Sequence, residues 1–381
     1  MRGDGIESPV PNGGMGRSMT SAQSEPDITI IIVSYQTREM TLACIRSVIA
    51  QTTAVSYELI VLDNASTDGS AEAIRRAFPD ITVIASEENL GFARANNVAA
   101  ARARGRRLLL LNPDTVVLDH AIERLQAFAA ANPACGIWGG RTVFADGTLN
   151  PASCWRRATL WSVFCMTVGL ARFRTSALFN WEGYGGWARD AVRRVDIVTG
   201  CFFLIDRALW NRCGGFDPAF FMYGEEADLC LRARRFGARP MITPAATIIH
   251  FGHASEPDHA EQRIKVFAGR ISLMQRHQPA VSVRLGRLLY QAMVQLRIAL
   301  FGVACFLTGR PEMRRGAQSW RQVWQARARW IDGWNEAAAE LARRPLAAGA
   351  ADLTPVPPVP PTARDRPGGQ APARGIAESV N

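Results

Sequence analysis

Residues 28–35 read ITIIIVSY, residues 58–64 read ELIVLDN and residues 107–114 read RLLLLNPD. Each stretch is a short apolar run that ends in polar residues, and helical patterns separate the three runs. This alternation is typical of βαβ units on a parallel sheet. We therefore predict an α/β fold in which polar loops follow the strands.

The same pattern gives approximate element bounds. The predicted strands are 28–33, 58–63, 81–85 and 107–111, and the predicted helices between them are 38–50, 70–78 and 91–104. Further along we predict helices at 120–132, 206–212 and 225–236, a hairpin about 146–147, a buried strand region at 195–205 and a strand at 241–249. Ligands of such sheets bind at the carboxyl ends of the strands. The rim of the sheet is therefore expected to carry Tyr35, Asp63, Asn89 and Asp114.

Composition narrows the class of protein. The chain has 381 residues and a formal charge of +10, with Lys265 as its only lysine. Because nearly all basic residues are arginine, the positive charge reflects genome composition more than a nucleic-acid-binding surface. Clusters of arginine could instead bind anionic lipid headgroups. The eight cysteines form no CxxC pair and no zinc-ligand spacing, which predicts free thiols in a reducing compartment.

Four regions follow from the composition along the chain. Residues 1–26 are predicted to be disordered and contain no apolar run of a signal peptide. Residues 27–255 form the predicted α/β domain, and residues 256–344 a predicted helical extension. The Pro-rich residues 345–381 are predicted to be a disordered tail.

Two strand-end motifs carry candidate chemistry. Asp63, at the start of a loop of Asp, Asn, Ser and Gly, either accepts a hydrogen bond from a nucleobase or begins a plain turn, with Asp68 or Ser70 capping the next helix. Asp114 follows a buried strand and Asn112-Pro113. Desolvating a carboxylate there costs roughly several kcal/mol, unless a cation such as Mg²⁺ or Mn²⁺ neutralises its charge. The alternative is a turn started by Asn-Pro.

Acidic and imidazole side chains appear again in the second half. Glu225 and Glu226 open a predicted helix, where carboxylates are ordinary partners of the helix dipole. Adjacent helix positions point about 100° apart, so the two glutamates take different roles. Asp228 and Arg232 are predicted to pair on the surface. Three of the five histidines, His250, His253 and His259, lie within ten residues, which makes a ligand role as plausible as a structural one.

Taken together, these segments resemble family 2 glycosyltransferases of the GT-A fold, in the bacterial rhamnosyltransferase-like branch. The resemblance runs from about residue 28 to residue 255 and rests on ordered motifs: VSYQ at 33–36, DNASTDGS at 63–70, NLGFARANN at 89–97, LNPD at 111–114, GGFDPAFFMYGEE at 214–226 and the later His250. It implies a GT-A domain with a mixed, mainly parallel sheet, flanking helices and a C-terminal helical extension.

The resemblance implies a role for each matched residue. Tyr35 and Asp63 line a nucleobase pocket, while Asn89, Asn97 and Asn112 help to hold the nucleotide sugar. Asp114 and His250 belong to a Mg²⁺ or Mn²⁺ site. Glu226 stands where most members carry a catalytic Asp and is the candidate base. Two departures are Gln36 in place of the usual Asn and Glu226 in place of Asp.

The implied reaction is an inverting transfer of a sugar to a hydroxyl in cell-envelope glycan synthesis, with dTDP-L-rhamnose as the first guess for the donor and a polyprenyl-linked or glycan acceptor. Two alternatives stay open: a nucleotidyltransferase, and a non-catalytic membrane-bound protein that binds nucleotide sugars or acts as a scaffold. A nicotinamide oxidoreductase is excluded because residues 33–39 contain no glycine.

The C-terminal helices are expected to lie on the inner, cytoplasmic face of a membrane without crossing it. Residues 288–307 are apolar enough to suggest a span, but Gln291, Gln295 and Arg297 interrupt them. Trp320, Trp324, Trp330 and Trp334 are predicted to sit at the headgroup level. The alternative is a helical cap on the catalytic domain or in a homo-oligomer.

Overall fold

The computed structural model describes residues 25–252 and 259–343. Its twelve strands are β1 (Ile28–Ser34), β2 (Tyr57–Asp63), β3 (Thr82–Ala85), β4 (Arg107–Leu111), β5 (Thr115–Val117), β6 (Ile137–Val143), β7 (Leu149–Asn150), β8 (Cys154–Trp155), β9 (Arg193–Arg194), β10 (Ile197–Val198), β11 (Phe202–Asp206) and β12 (Met241–His250). The predictions for His253, for residues 1–24 and for the C-terminal tail lie outside the described residues.

Eleven α-helices occur in the described ranges. They are α1 (Arg38–Gln51), α2 (Ser70–Ala77), α3 (Gly91–Ala100), α4 (Ala121–Ala131), α5 (Leu160–Thr167), α6 (Arg207–Cys213), α7 (Glu225–Ala233), α8 (His259–His277), α9 (Ala280–Thr308), α10 (Pro311–Gln325) and α11 (Glu336–Arg343). The first four predicted strands and the helices between them are confirmed. Helix α5 was not predicted, although Thr159 and Ser162 form a capping box at its start.

One mixed sheet runs through the molecule, in the order β3-β2-β1-β4-β11-β6-β12-β5. Strands β3, β2, β1 and β4 are parallel, and β11 lies antiparallel between β4 and β6. Strand β1 is buried along its whole length, as its run of isoleucines requires in a sheet covered on both faces. The register pairs Ser34 with Asp63 and Ile32 with Leu111, so the loops after β1, β2 and β4 emerge at one edge.

Helix α3 ends earlier than predicted, at Ala100 instead of Arg104. Gly105 lies so close to β1 that a Cβ at this position would be 2.3 Å from the backbone nitrogen of Thr29. Only glycine therefore fits there. Its own N–H donates to Thr29 Oγ1 at 2.8 Å. The chain therefore leaves the helix in time to enter β4.

The C-terminal helices are part of the same hydrophobic cluster as one face of the sheet. Trp330 and Trp334 are buried, so their predicted place at a headgroup interface is wrong. Trp334 packs on Phe221 with ring centroids 5.6 Å apart, and its indole N–H donates to the carbonyl of Met222 at 2.9 Å. This packing covers both tryptophans with protein instead of lipid.

Asp228 is also buried, which corrects the prediction of a surface pair. Its carboxylate accepts hydrogen bonds from Arg232 Nε at 2.6 Å and from His277 Nε2 at 2.8 Å. Arg232 in turn donates to the carbonyls of Cys213 and Gly215. The pair therefore ties α7 to the end of α8 and to the loop that follows α6.

We expect Asp228→Asn to lower the free energy of unfolding by about 1.5–3 kcal/mol, because it removes the buried charge that accepts hydrogen bonds from Arg232 and His277. Burial opposes ionisation of Asp228, but His277 and Arg232 outweigh it and lower the pKa of that carboxyl. The folded state therefore holds fewer protons than the unfolded state, and the stabilisation is lost as the pH falls through the folded pKa. Urea unfolding at neutral and acidic pH measures both effects.

The control is Asp217→Asn, which removes the partly exposed pair with Arg276. That change should cost at most about 1 kcal/mol. Equal losses from the two variants would contradict a special role for the buried Asp228 network.

Candidate active site

A cavity of about 970 Å³ opens at the edge where β1 and β4 end. Its walls come from the loops after these strands, from the segment before α7, from the end of β12 and from α5 and α8. The sequence-predicted residues that line it are Tyr35, Asn89, Asn112, Asp114, Glu226 and His250. Segments far apart in the chain thus converge on one space.

At one end of the cavity, Asn64 and Asn89 form a small amide network. Asn64 Nδ2 donates to Asn89 Oδ1 at 2.9 Å, and Asn64 Oδ1 accepts from the N–H of Leu90 at 2.8 Å. Asn89 Oδ1 also accepts from the N–H of Gly91 at 2.9 Å. Asn64, which was not singled out from the sequence, therefore holds the loop before α3 at the rim.

Asp63 directly precedes Asn64 and is almost fully buried. Its Oδ2 accepts from the N–H of Ser66 at 3.2 Å, while its Oδ1 is buried without a hydrogen-bond partner. Burial raises the pKa of this carboxyl. An unsatisfied buried acceptor is costly, but Asp63 itself is not among the residues that line the cavity.

Gln36, the departure in the first motif, lies in the left-handed region with φ 55°. Its side chain reaches Thr67 in the second motif, with Nε2 donating to Thr67 Oγ1 at 3.0 Å. The N–H of Gln36 donates to Ser66 Oγ at 3.0 Å. The longer amide therefore links the loops that follow β1 and β2.

Asp114 and His250 face each other, with Oδ1 and Nε2 3.5 Å apart. Asn112 Nδ2 lies 3.4 Å from the same imidazole nitrogen. The pairing of β12 with β5 sets His250 opposite Thr115, which explains why distant residues meet here. Asn150 Nδ2 donates to the carbonyl of His250 at 2.9 Å and fixes the end of β12.

The donor set of this pair fits a divalent cation. Two cis ligands at about 2.1 Å from Mg²⁺ lie roughly 3 Å apart, close to the observed separation. Burial lowers the pKa of His250, but Cys201 and Asp114 outweigh it and raise that pKa, so a cation at this site would have to displace the imidazole proton. No cluster of three His, Cys, Asp or Glu side chains with metal-site geometry occurs in residues 25–252 and 259–343. Further ligands would have to come from a bound substrate.

Glu225 and Glu226 begin α7 immediately after Gly224, whose φ is 111°. Both side chains line the cavity, but Glu225 is 4% exposed and Glu226 is more open. Burial raises the pKa of both carboxyls, and the neighbouring Glu226 raises that of Glu225 further. The more accessible Glu226 is the better placed of the two to meet a substrate hydroxyl.

Asn97 was predicted to help hold the nucleotide sugar, but it is not among the residues that line the cavity. Its Nδ2 donates to the carbonyl of Phe216 at 2.8 Å and its Oδ1 accepts from the N–H of Phe216 at 2.9 Å. Nearby, the N–H of Phe92 donates to the carbonyl of Phe221 at 2.7 Å. These bonds brace the segment that leads to Glu226.

The opposite end of the cavity was not predicted from the sequence. Aromatic side chains line it, including Trp155, Phe179 and Trp181, together with the ion pair between Arg270 and Glu182. Lys265 and Arg329 also face this space, and Arg329 Nη1 donates to Glu261 Oε2 at 2.9 Å. These residues come from separate loops and helices, and no motif marked them.

The model of the family described as glycosyl transferase family 2 matches residues 29–196. Among similar proteins, the N-acetylglucosaminyl-diphospho-decaprenol L-rhamnosyltransferase of Mycobacterium tuberculosis is 24% identical over 222 residues, which are 53% of this chain and 69% of that protein. Succinoglycan biosynthesis protein ExoO of Rhizobium meliloti is 33% identical over 59% of this chain and 60% of its own length.

Other matches cover smaller parts of longer proteins. The O-antigen biosynthesis protein RfbC of Myxococcus xanthus is 24% identical over 66% of this chain but only 19% of its own length.

Among solved structures, a mannosyltransferase from Pyrobaculum calidifontis in complex with GDP-Man and Mn²⁺ is similar with a TM-score of 0.50 and 16% identity, over 81% of this chain and 88% of that one. Residues 29–196 therefore match glycosyl transferase family 2, the similar proteins include a rhamnosyltransferase, and the fold of the chain is GT-A.

Proposed function

We propose that this protein is an inverting glycosyltransferase that moves a sugar from a nucleoside diphosphate to an acceptor hydroxyl. The observation that carries the proposal is the joint placement of the Asp114–His250 pair and Glu226 on one large cavity. The Asp114–His250 pair suits a diphosphate and its cation, and Glu226 can act as the base that deprotonates the acceptor hydroxyl. Both chemical requirements of the transfer are therefore met within a single space.

The donor end is assigned from the rim of the sheet. We assign Asp63 Oδ1, which is buried without a partner, as the acceptor for a nucleobase N–H, although Tyr35 lines the cavity and Asp63 does not. Asp114 and His250 would hold Mg²⁺ or Mn²⁺, and Asn112 lies within reach of the same site. When bound, the cation supplies positive charge against the diphosphate.

The transfer itself is assigned to Glu226. Its carboxylate accepts the proton of the acceptor hydroxyl while the hydroxyl oxygen forms a bond to the anomeric carbon. The bond from that carbon to the phosphate oxygen breaks on the opposite side, and its electron pair leaves with the nucleoside diphosphate. General-base assistance of this kind contributes about 10² to 10⁴ in rate.

For the substrates, the branch supports dTDP-L-rhamnose as the donor to test first. A relative named as a rhamnosyltransferase acts on a diphospho-decaprenol, and others are named for O-antigen and succinoglycan biosynthesis. We therefore propose a lipid-linked or polysaccharide acceptor in cell-envelope glycan synthesis. Incubation with a panel of nucleotide sugars, followed by assay of the released nucleoside diphosphate, tests the donor.

The same assay separates the alternatives. A nucleotidyltransferase releases pyrophosphate instead of a nucleoside diphosphate, and a binding or scaffold protein binds the nucleotide without turnover on any acceptor. The partly exposed Glu226 on the cavity wall favours an enzyme over a binding or scaffold protein, and the released product distinguishes the two enzymes.

We expect Glu226→Gln to lower kcat by at least about 10²-fold with little change in donor affinity, because the variant keeps the shape but loses the base. Glu225→Gln is the matched control and should cost less. Burial raises the pKa of Glu226, so the rate should fall on acidification at a higher pH than for an ordinary glutamate. A greater loss of kcat from Glu225→Gln than from Glu226→Gln would contradict the assignment of Glu226 as the base.

Asp114→Ala is expected to abolish the part of nucleoside diphosphate binding that depends on Mn²⁺, because the diphosphate then meets the rim without its cation. His250→Ala should weaken the same binding less. Calorimetry with and without Mn²⁺ measures this, with Asp119→Asn, an exposed residue in the loop after β5, as the control. Unchanged Mn²⁺ dependence in Asp114→Ala would remove the metal assignment.

Asp63→Asn tests the nucleobase assignment. A hydrogen bond to a charged group is worth about 1.5–3 kcal/mol, so affinity for the nucleoside diphosphate should fall roughly 10- to 150-fold. Affinity for pyrophosphate with Mn²⁺ should stay the same, since pyrophosphate has no base. A parallel loss for both ligands would show that Asp63 acts on the loop and not on the base.

A further inference from the structure

Helix α9 carries an exposed apolar stripe along its full length. The stripe repeats every three or four residues, which places its members on one face of the helix. It consists of Val281, Leu285, Leu288, Ala292, Ala299, Val303 and Phe306, all exposed, with Gln295 as the one polar member. Phe306 is 89% exposed and Leu288 is 61% exposed. So much apolar surface on one helix indicates a covering partner.

Helix α5 adds a second apolar stripe beside the first. Trp161, Phe164 and Val168 follow helical spacing and are exposed. The helix packs against α9, where Thr167 Oγ1 donates to the carbonyl of Leu289 at 3.2 Å. The loop that follows α5 exposes Phe173 and Leu178 as well. We call these two helices and the loop the α5–α9 face.

The charge of this face is of one sign. Residues 160–178 and 280–308 together contain five arginines and no Asp or Glu. Arg172, Arg174 and Arg284 are exposed. Apolar side chains beside exposed arginines match the interface of an anionic bilayer. The apolar side chains and the arginine stems contact the acyl chains, and the guanidinium groups bind the anionic headgroups.

By length and composition, α9 is the one helix in the described ranges that could cross a membrane. Its contacts argue against a span. Arg297 donates to the carbonyl of Met166 at 2.9 Å, and Arg287 pairs with Asp332 at 3.2 Å. A spanning helix would have to give up these bonds and leave the arginines in hydrocarbon.

We propose that the α5–α9 face lies flat on an anionic lipid surface, with the α9 stripe in the headgroup region. The side of α5 that carries Ser162 and Met166 lines the large cavity. The face therefore borders the cavity that also holds the Asp114–His250 pair. An acceptor with a lipid chain would reach the cavity along this border, a step that rests on the proposed function.

The test measures sedimentation of the full chain with phosphatidylcholine vesicles that contain or lack phosphatidylglycerol. We expect binding only to the anionic vesicles, weakened by salt. Leu288→Ser combined with Phe306→Ser should weaken that binding at least about tenfold, since two large side chains no longer enter the lipid. Both residues are exposed, so the fold should be retained.

The control is Ile49→Ser combined with Val98→Ser, which removes exposed apolar residues from α1 and α3. It should bind vesicles as the parent chain does. No vesicle binding at low salt, or equal loss in both double variants, would overturn the proposal. Conversion of a dimer to a monomer by the α9 variant, without vesicle binding, would instead identify a second copy as the partner. None of these measurements requires turnover, so they stand apart from a failure of the proposed reaction.

Discussion

The parallel hydrogen bonding of β1 between β2 and β4 is the constraint on which the rest of the structure depends. It sets Ser34 beside Asp63 and Ile32 beside Leu111. Because the register fixes where each strand ends, the loops that carry Tyr35, Asn64 and Asn112 open onto one cavity. The antiparallel β11 then closes the other edge of β4 and leads the chain toward β12 and His250.

The buried carboxylates separate into two kinds. Asp228 is satisfied by Arg232 and His277, and it holds α7 in place. Asp63 and Glu225 each have one buried oxygen without a partner. Since an unsatisfied buried carboxylate is unfavourable, a protein retains it where a ligand or a reaction uses it. The contrast separates Asp228, whose partners are all within the protein, from Asp63, which we propose to bind a ligand.

The C-terminal helices serve the active site as well as the fold. Helix α8 supplies Lys265 and Arg270 to the cavity wall, and Trp334 packs beside the segment that leads to Glu226. These helices are therefore not a detachable extension of the sheet. The cap that the sequence left as an alternative to membrane binding is observed, and the lipid-facing role that we propose concerns the outer side of α9.

The local pattern of the sequence was enough to predict the first four strands, their helices and the rim that carries Tyr35 and Asp114, because strand periodicity and strand-end polarity are properties of neighbouring residues. Whether a side chain is buried depends on what packs over it, so the surface pair at Asp228 and the headgroup position of Trp330 were wrong. The bracing role of Asn97 and the aromatic end of the cavity also required the tertiary structure, since their partners lie more than one hundred residues away or on separate loops. Sequence alone was enough to predict the candidate residues of the donor end, because they follow strand ends, and packing decided which of them reach the cavity.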